Sequence, residues 1–438
     1  MSRQLSAIRS LPVRAASLLA AGILAVTASA CSLVPGVLPS AQPASASAPT
    51  AVPSTPVPVA TGAPQPTSAP VPAAATIGAS KKRVVLGYYV PYDATSWASF
   101  QVQASGLDYV GAQWVTVDPC GNIGSRDDRT LISYAGQNGV KVLPSLLTST
   151  GWLNHRLLTD PSTADRFISQ IVSYVTEMGY PGIDLDLEGI DAEDRDAFSS
   201  LVSKVADALH KRDKILTLAI PAKTADVRTG WAGPYDYAAL GKSADLILLM
   251  TYDFSWQSGP PGSIAPQNWV DKVATYAASQ MPPEKVLIGL AFYGYDWNKT
   301  QGGKARALLY SQSAALAKQR GTSIVTDPAS KSGTFTYTAK PSEVVPPPPS
   351  LPALQHEITV RTPGQCKVQE PAKPTPAPRP TPTPAPIQEH VVWLEDAASV
   401  AGRLQIAVQR GIGGVGAWRL GQEDPAVWPL LADYRSGR

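Results

Sequence analysis

The stretch with the most evident chemistry is a run in which three acids alternate with branched apolar residues. The acids are Asp184, Asp186 and Glu188. In a β-strand alternate side chains share a face, so the three carboxylates would point the same way, roughly 6–7 Å apart along the strand. A buried acidic face is costly unless its carboxyl groups pair or share protons, and it is useful where a raised pKa is needed. The alternative is an edge strand whose acidic face is solvated.

Glu188 and Asp186 have the spacing of a general acid and its partner. Glu188 must hold a proton near neutral pH, which requires burial and a like charge nearby. Asp186 would supply that charge, and Asp184 could share a proton with Asp186. The sequence therefore predicts acid catalysis at the end of this strand.

Aromatic residues accompany the acids at other points of the chain. Tyr252 offers a phenol donor, and Trp418 and Tyr293 offer flat ring faces. Aromatic faces combined with carboxylates, without histidine or cysteine pairs at metal-ligand spacing, indicate sugar chemistry rather than phosphate or peptide chemistry. Two alternatives remain: the acids could bind Ca²⁺ or Mg²⁺, although a rigid strand wraps a cation poorly, and each aromatic residue could belong to the core. We predict no metal and no cofactor.

Eight apolar strands alternate with helical segments and would position these residues. The predicted strands are 83–89, 107–115, 140–146, 180–189, 215–221, 244–253, 285–294 and 411–418. This count predicts an α/β fold, a (β/α)8 TIM barrel, whose sites form at the carboxyl ends of the strands. Five candidate residues lie at or near such ends: Glu188, Tyr252, Asp253, Tyr293 and Trp418.

The connection after the seventh predicted strand is long, from about residue 298 to 391. A helix over 310–320 and strand-like pieces over 323–325 and 334–337 predict a small α+β insertion. The proline-rich part, about 341–386, is predicted to be a disordered tract.

The N-terminus predicts export. Three arginines precede an apolar run over 15–26, which is too short for a typical membrane span, and small residues follow it. Cys31 directly after them resembles a bacterial lipobox, with Ala28 where leucine is usual. We expect residues 1–30 to be a signal peptide and Cys31 to be the lipidated mature N-terminus; ordinary cleavage nearby is the alternative.

Residues 31–80 consist mostly of proline, alanine, serine and threonine, so they are predicted to be an extended linker. It would join a lipid anchor on the outer face of the cytoplasmic membrane, or in the cell wall, to a folded domain over 81–436. The net charge of the 438 residues is only +3, without a basic cluster, so no nucleic-acid partner is predicted. We expect a monomer. The two remaining cysteines, Cys120 and Cys366, could form a disulfide.

Several of these segments together resemble one enzyme family. The run 182–188 resembles the strand-four motif of family 18 glycoside hydrolases, DGxDxDxE, and 250–253 resembles the strand-six motif. Trp418 matches the tryptophan of strand eight. Finer matches resemble the branch of spore-germination and cortex-lytic N-acetylglucosaminidases: these are the segments 252–266, 293–297, 392–396 and 418–425.

The resemblance implies a retaining, substrate-assisted mechanism. Glu188 would protonate the glycosidic oxygen, and the N-acetyl group of the substrate would attack the anomeric carbon. Asp186 would orient the acetamido nitrogen, and Tyr252 would bind the acetamido oxygen. Trp418 would form the floor of the sugar site.

We also predict supporting roles for Asp184 and Asp253, and substrate-binding roles for Tyr293 and Tyr88. We expect hydrolysis of a β-1,4-linked N-acetylglucosamine polysaccharide, peptidoglycan-like, with chitin oligomers as the alternative substrate. A further alternative is a catalytically silent barrel that binds glycans. Pro181 departs from the family motif, since it replaces the first aspartate and shortens the expected relay behind Asp186 to Asp184.

Overall fold

The computed structural model describes residues 83–343, 345–371 and 386–437. The predicted signal peptide, Cys31 and the predicted linker lie outside these residues. Within them, every helix is too short or too polar to cross a membrane.

The strands form two sheets. In chain order they are β1 (Val84–Tyr89), β2 (Tyr109–Val117), β3 (Ile123–Asp128), β4 (Lys141–Thr148), β5 (Gly182–Leu187), β6 (Ile215–Pro221), β7 (Leu246–Met250), β8 (Val286–Ala291), β9 (Tyr293–Asn298), β10 (Arg306–Leu309), β11 (Val325–Thr326), β12 (Gly333–Ala339), β13 (Ile358–Arg361), β14 (Gln388–Leu394) and β15 (Gly414–Trp418). The α-helices are α1 (Ala94–Gln103), α2 (Arg129–Gln137), α3 (Gly151–Thr159), α4 (Pro161–Glu177), α5 (Arg195–His210), α6 (Tyr237–Ser243), α7 (Gln267–Gln280), α8 (Tyr310–Gln319), α9 (Ala397–Gln409) and α10 (Val427–Ser436).

The larger sheet closes into a barrel. Its parallel strands follow the order β1-β15-β8-β7-β6-β5-β4-β2, and β1 also pairs with β2. The predicted (β/α)8 barrel is therefore confirmed, with the eight predicted strands as β1, β2, β4, β5, β6, β7, β8 and β15. Several helices of the outer layer begin at an aspartate whose carboxylate accepts an N–H group of the first turn, which is a favourable cap. These caps are Asp93, Asp128, Asp160, Asp236 and Asp396.

Alternation along β5 decides which way its acids point. Ile183, Leu185 and Leu187 pack outward, into the apolar layer between the barrel and the helices. The side chains of Asp184 and Asp186 therefore point into the barrel. The interior below them is filled by apolar residues of other strands, so the acids lie near the carboxyl end of a packed core.

The predicted α+β insertion is present, and its sheet has the order β10-β9-β14-β12-β11. One face packs with α8 in a small core of its own, which includes Leu316 and Phe335. The other face bears Tyr293, Tyr295 and Trp297, which pack with Tyr252 and Trp418 of the barrel. The insertion begins at Tyr293, earlier than predicted, because the strand predicted over 285–294 is divided into β8 and β9.

The structure differs from the predicted disordered tract over residues 345–371. Strand β13 pairs antiparallel with β3, which itself pairs with β2. Cys366 forms a disulfide with Cys120, the pairing that the sequence left open. This segment is ordered because β13 contains no proline and its backbone pairs with a strand edge. Residues 372–385 of the predicted tract lie outside the described residues.

Candidate active site

Asp184 forms the base of the acidic site. Its carboxylate accepts hydrogen bonds from the hydroxyls of Thr217 (2.6 Å), Ser145 (2.8 Å) and Tyr88 (3.1 Å). The side chain is buried, at 1% exposure. Burial raises the pKa of Asp184 above the ordinary value for a carboxyl group, although the three hydroxyls act in the opposite direction. Asp184 is therefore held in place and can share a proton.

Asp186 lies two residues further along β5 on the same face, and one of its carboxylate oxygens lacks a hydrogen-bond donor among the described residues. Its Oδ1 atom is buried and has no hydrogen-bond partner among the described residues, and the residue is 5% exposed. Burial raises the pKa of Asp186 well above its ordinary value, and the negative charges of Glu188 and Asp184 raise it further. A buried acceptor without a donor is rare in folded proteins and calls for an explanation. A ligand that brings an N–H or O–H group would supply the missing donor.

Glu188 follows β5 directly and is half-buried at the barrel mouth. Its backbone N–H donates to the Thr148 carbonyl (2.7 Å), and its own carbonyl accepts from the Asn154 side-chain amide. Thr148 and Asn154 are hydrogen-bonded to each other through their side chains. Gly189 then adopts a φ of +67°, which favours glycine and turns the chain away from the strand. The peptide that carries the Glu188 carboxyl group is thus fixed on the β4 side.

Tyr252 and Asp253 follow β7. Asp253 adopts a left-handed φ of +55°, and its carboxylate accepts the hydroxyls of Tyr293 and of Tyr295, the latter at 3.0 Å. Burial raises the pKa of Asp253, although both hydroxyls act in the opposite direction. The Tyr252 ring lies 6.3 Å from the Tyr293 ring, between centroids. Asp253 therefore joins the insertion to the turn that presents Tyr252.

Trp418 ends β15 and lies over Tyr88, with 5.4 Å between ring centroids. Tyr88 is buried, with Gly111 beside it: a Cβ on that glycine would lie 2.9 Å from the ring. Burial and then the charges of Asp184 and Asp186 raise the pKa of Tyr88 well above its ordinary value, so its hydroxyl stays protonated.

The structure brings the candidate residues together, with two differences from the sequence analysis. Tyr88 and Tyr293 were expected to bind substrate, yet both are buried and donate their hydroxyls to Asp184 and Asp253. These two tyrosines therefore support the acids, because their hydroxyl groups donate hydrogen bonds to carboxylates within the protein.

Sequence reasoning missed four residues that position the acids: Ser145, Thr148, Asn154 and Thr217. Ser145 and Thr217 interrupt apolar strands, and a hydroxyl in such a position signals a buried polar partner. Asn154 gives no such signal, because it lies within a helix.

Elsewhere in the described residues, one group of acidic and cysteine side chains has the spacing of a cation site. The one group of side chains close enough to hold an ion there consists of Asp118, Cys120 and Cys366. Its two cysteines are joined in the disulfide, so their sulfur atoms are not available as thiolate ligands.

Comparison with known proteins identifies the family to which this arrangement belongs. Residues 84–423 match the family model of glycosyl hydrolases family 18. The chain belongs to this family. The match covers most of the chain and includes β5, β7 and β15, so the protein is a glycosidase with a family 18 barrel.

Two curated relatives come from Bacillus species. The uncharacterized glycosylase YvbX of Bacillus subtilis is 25% identical over 364 residues, which cover 81% of this chain and 93% of YvbX. The cortical fragment-lytic enzyme of Bacillus anthracis is 28% identical over 280 residues, which cover 63% of this chain and 55% of that enzyme. The chain thus spans nearly the whole of one relative and about half of the other.

A solved structure shows the same fold. The spore cortex-lytic enzyme SleL of Bacillus megaterium superimposes with a TM-score of 0.66 at 22% identity, covering 81% of this chain and 74% of that chain. The chain is similar to the spore cortex-lytic branch of its family.

Proposed function

We propose that the protein hydrolyses β-1,4-linked N-acetylglucosamine in a peptidoglycan-like polysaccharide, by a retaining mechanism in which the substrate assists. The observation that carries the proposal is the buried, unpartnered Oδ1 atom of Asp186 between Asp184 and Glu188. An acetamido N–H beside the cleaved bond is the donor that fits this acceptor. The cortical fragment-lytic relatives support peptidoglycan as the source of this group.

In the first step the Glu188 carboxyl group gives its proton to the glycosidic oxygen, and the bond from that oxygen to the anomeric carbon breaks. The acetamido carbonyl oxygen of the same sugar forms a bond to the anomeric carbon, which yields an oxazolinium ion. Asp186 accepts the acetamido N–H and stabilises the positive charge, while Tyr252 donates to the acetamido oxygen. Trp418 supports the sugar ring.

In the second step water attacks the anomeric carbon and gives a proton to the Glu188 carboxylate. The oxazolinium ring opens and the acetamido group is restored. Because the anomeric carbon is inverted once in each step, the product keeps the β-configuration. Asp184 lies deeper in the barrel than Asp186 and can share a proton with it. It receives three hydroxyl donors, so Pro181 at the strand start leaves the inner acid in place.

We also propose that the protein is exported and anchored through Cys31 outside the cytoplasm, where it acts as a monomer. The disulfide between Cys120 and Cys366 supports export, because such bonds persist mainly in oxidising compartments. Labelling of the protein in cells with a radioactive fatty acid tests the anchor; loss of label in Cys31→Ser is expected.

The function is tested by offering purified peptidoglycan and chitin oligomers side by side and reading the products by mass spectrometry. We expect new N-acetylglucosamine reducing ends from peptidoglycan. In Glu188→Gln the rate should fall at least about 100-fold with the fold intact, because a general acid contributes that much or more. Products from chitin alone would make it a chitinase, and binding without products would favour a glycan-binding barrel. A fall below about tenfold in Glu188→Gln would exclude Glu188 as the acid.

A further inference from the structure

The peptide group between Leu187 and Glu188, at the end of β5, is held at both ends. Its N–H group, which belongs to Glu188, donates to the Thr148 carbonyl on the β4 side at 2.7 Å. Its carbonyl group, which belongs to Leu187, accepts the Tyr235 hydroxyl at 2.7 Å. Tyr235 lies in the loop between β6 and α6 (residues 222–236), on the other side of β5. The residue that carries the acid therefore follows a peptide plane fixed by both neighbouring strands or their loops.

A proline explains why a tyrosine side chain holds this carbonyl. β5 and β6 pair in parallel, and the Ile215 N–H donates to the Pro181 carbonyl at 2.9 Å. Such bonds recur every two residues along a parallel ladder, so the Leu187 carbonyl, six residues further on, would accept the N–H of residue 221. That residue is Pro221, which has no N–H group. The Tyr235 hydroxyl thus takes the place of a missing backbone donor.

Tyr235 is itself held from several directions. Its side chain is fully buried, and its ring meets the Phe198 ring of α5 edge-on, with 5.4 Å between centroids. The Lys223 ammonium, in a fully buried side chain, donates to the Tyr235 carbonyl at 2.9 Å. The Arg195 guanidinium donates to the Gly233 carbonyl, two residues earlier, at 2.8 Å. The hydroxyl therefore reaches β5 from a ring and a backbone that are both fixed.

The backbone of Glu188 decides where its carboxyl group points. The Thr148 and Tyr235 bonds fix the peptide group before the residue, and the Asn154 side-chain amide donates to the carbonyl of the peptide group after it. Both peptide groups that flank the Cα atom are thereby held, and with them the direction in which the side chain leaves the backbone. A general acid must lie within hydrogen-bond reach of the atom that it protonates. A misplacement of about 1 Å can cost about 100-fold in rate.

We propose that Tyr235 is a positioning residue for the general acid. Its hydroxyl replaces the backbone donor that Pro221 lacks, and so aims the Glu188 carboxyl group at the bond to be cleaved. This inference rests on the proposed function and adds to it a buried side chain that acts through the backbone of Glu188 and does not touch the substrate.

The test compares two substrates that differ in their need for a proton. The first is a soluble oligomer of peptidoglycan or chitin, whose leaving sugar must be protonated by Glu188. The second is the dinitrophenyl glycoside of chitobiose, whose leaving group departs as a stable phenolate anion. In Tyr235→Phe, which removes only the hydroxyl, kcat/KM for the oligomer should fall about 10- to 100-fold. For the aryl glycoside kcat/KM should stay nearly unchanged, because bond cleavage there does not depend on the acid.

Tyr237→Phe is the matched control, because the Tyr237 hydroxyl is also buried and also donates to a backbone carbonyl, that of Pro221, at 2.7 Å. It should lower the Tm about as much as Tyr235→Phe does, while kcat/KM for both substrates stays close to that of the unmodified protein.

An unchanged oligomer rate in Tyr235→Phe would overturn the proposal. An equal fall for both substrates, or an equal fall in Tyr237→Phe, would also overturn it, since a general disturbance of the barrel would then explain the loss. Hydrolysis of neither substrate by the unmodified protein would contradict the proposed function itself, and the positioning role would fail with it.

Discussion

Two pairs of buried aspartates in this protein have the same side chains in different surroundings. Asp184 and Asp186 point into the barrel from β5, and Asp127 and Asp128 end β3 in the wall between the barrel and its helices. All four are almost fully buried. In the barrel pair Asp186 keeps an oxygen without a donor among the described residues. In the wall pair every carboxylate oxygen accepts a hydrogen bond.

The wall pair joins distant parts of the chain. Asp127 accepts the Tyr180 hydroxyl at 2.6 Å, and Asp128 accepts the Tyr89 hydroxyl at 3.0 Å. Asp128 also bonds His356, which lies in the segment that contains β13. The remaining donors are Ser125, Tyr174 and the Leu131 backbone N–H.

The difference shows how burial alone fails to identify a catalytic acid. Folded proteins satisfy their buried polar groups, as the wall pair does. The barrel pair departs from this rule at one atom, the Oδ1 atom of Asp186, whose carboxyl group lies near those of Asp184 and Glu188. Under the proposed function, the protein gives up stability at this atom and the substrate supplies the missing partner.

The largest expected effect is on activity. Asp186→Asn should lower kcat about 100- to 1000-fold, the usual loss when a group that stabilises transition-state charge is removed. The neutral amide cannot balance the charge of the oxazolinium ion. Steady-state kinetics would measure this, with circular dichroism as the control for folding; a kcat within about tenfold of the unmodified protein would contradict the account.

Asp127→Asn should show the opposite pattern. Its tyrosine donors would lose their charged acceptor, so the free energy of unfolding should fall by about 1–3 kcal/mol. The kcat of the folded protein should stay unchanged, because the partners of Asp127 are Ser125, Tyr174 and Tyr180 rather than residues of the candidate active site. Denaturant unfolding and kinetics on the same samples check both, and a loss of kcat comparable to that of Asp186→Asn would erase the distinction between the pairs.

A smaller effect concerns pH. The raised pKa of Asp186 means that its contribution to stability is fully present below the unfolded pKa of about 3.9 and is lost as pH rises through the folded pKa. Asparagine does not ionise in this range, so the Asp186→Asn variant does not lose stability in this way as pH rises. The Tm of Asp186→Asn minus that of the unmodified protein should therefore increase as pH rises above about 4. Thermal melts across this range test it, and a difference that stays constant or shrinks would contradict the raised pKa.

Local pattern was enough to predict the barrel and the acid strand. The alternation of Asp184, Asp186 and Glu188 with apolar residues determines which face they share, and each barrel strand is a short apolar run followed by a helix. Neither inference needs information about distant residues.

The rest depends on contacts between distant segments. His356 meets Asp128 across 228 positions, and Cys366 meets Cys120 across 246, so the order of the segment around β13 is invisible in its local composition. The same holds for Tyr88, whose burial depends on Gly111 of the neighbouring strand.

The most direct test of the central claim is calorimetric binding of N-acetylglucosamine, whose acetamido group carries the N–H that the account assigns to the Oδ1 atom of Asp186. The unmodified protein and Asp127→Asn should bind it with similar affinity, and Asp186→Asn should lose at least about tenfold, since a hydrogen bond to a charged group contributes about 1.5–3 kcal/mol. Equal affinity in Asp186→Asn would contradict the assignment of its unpartnered oxygen to the acetamido group.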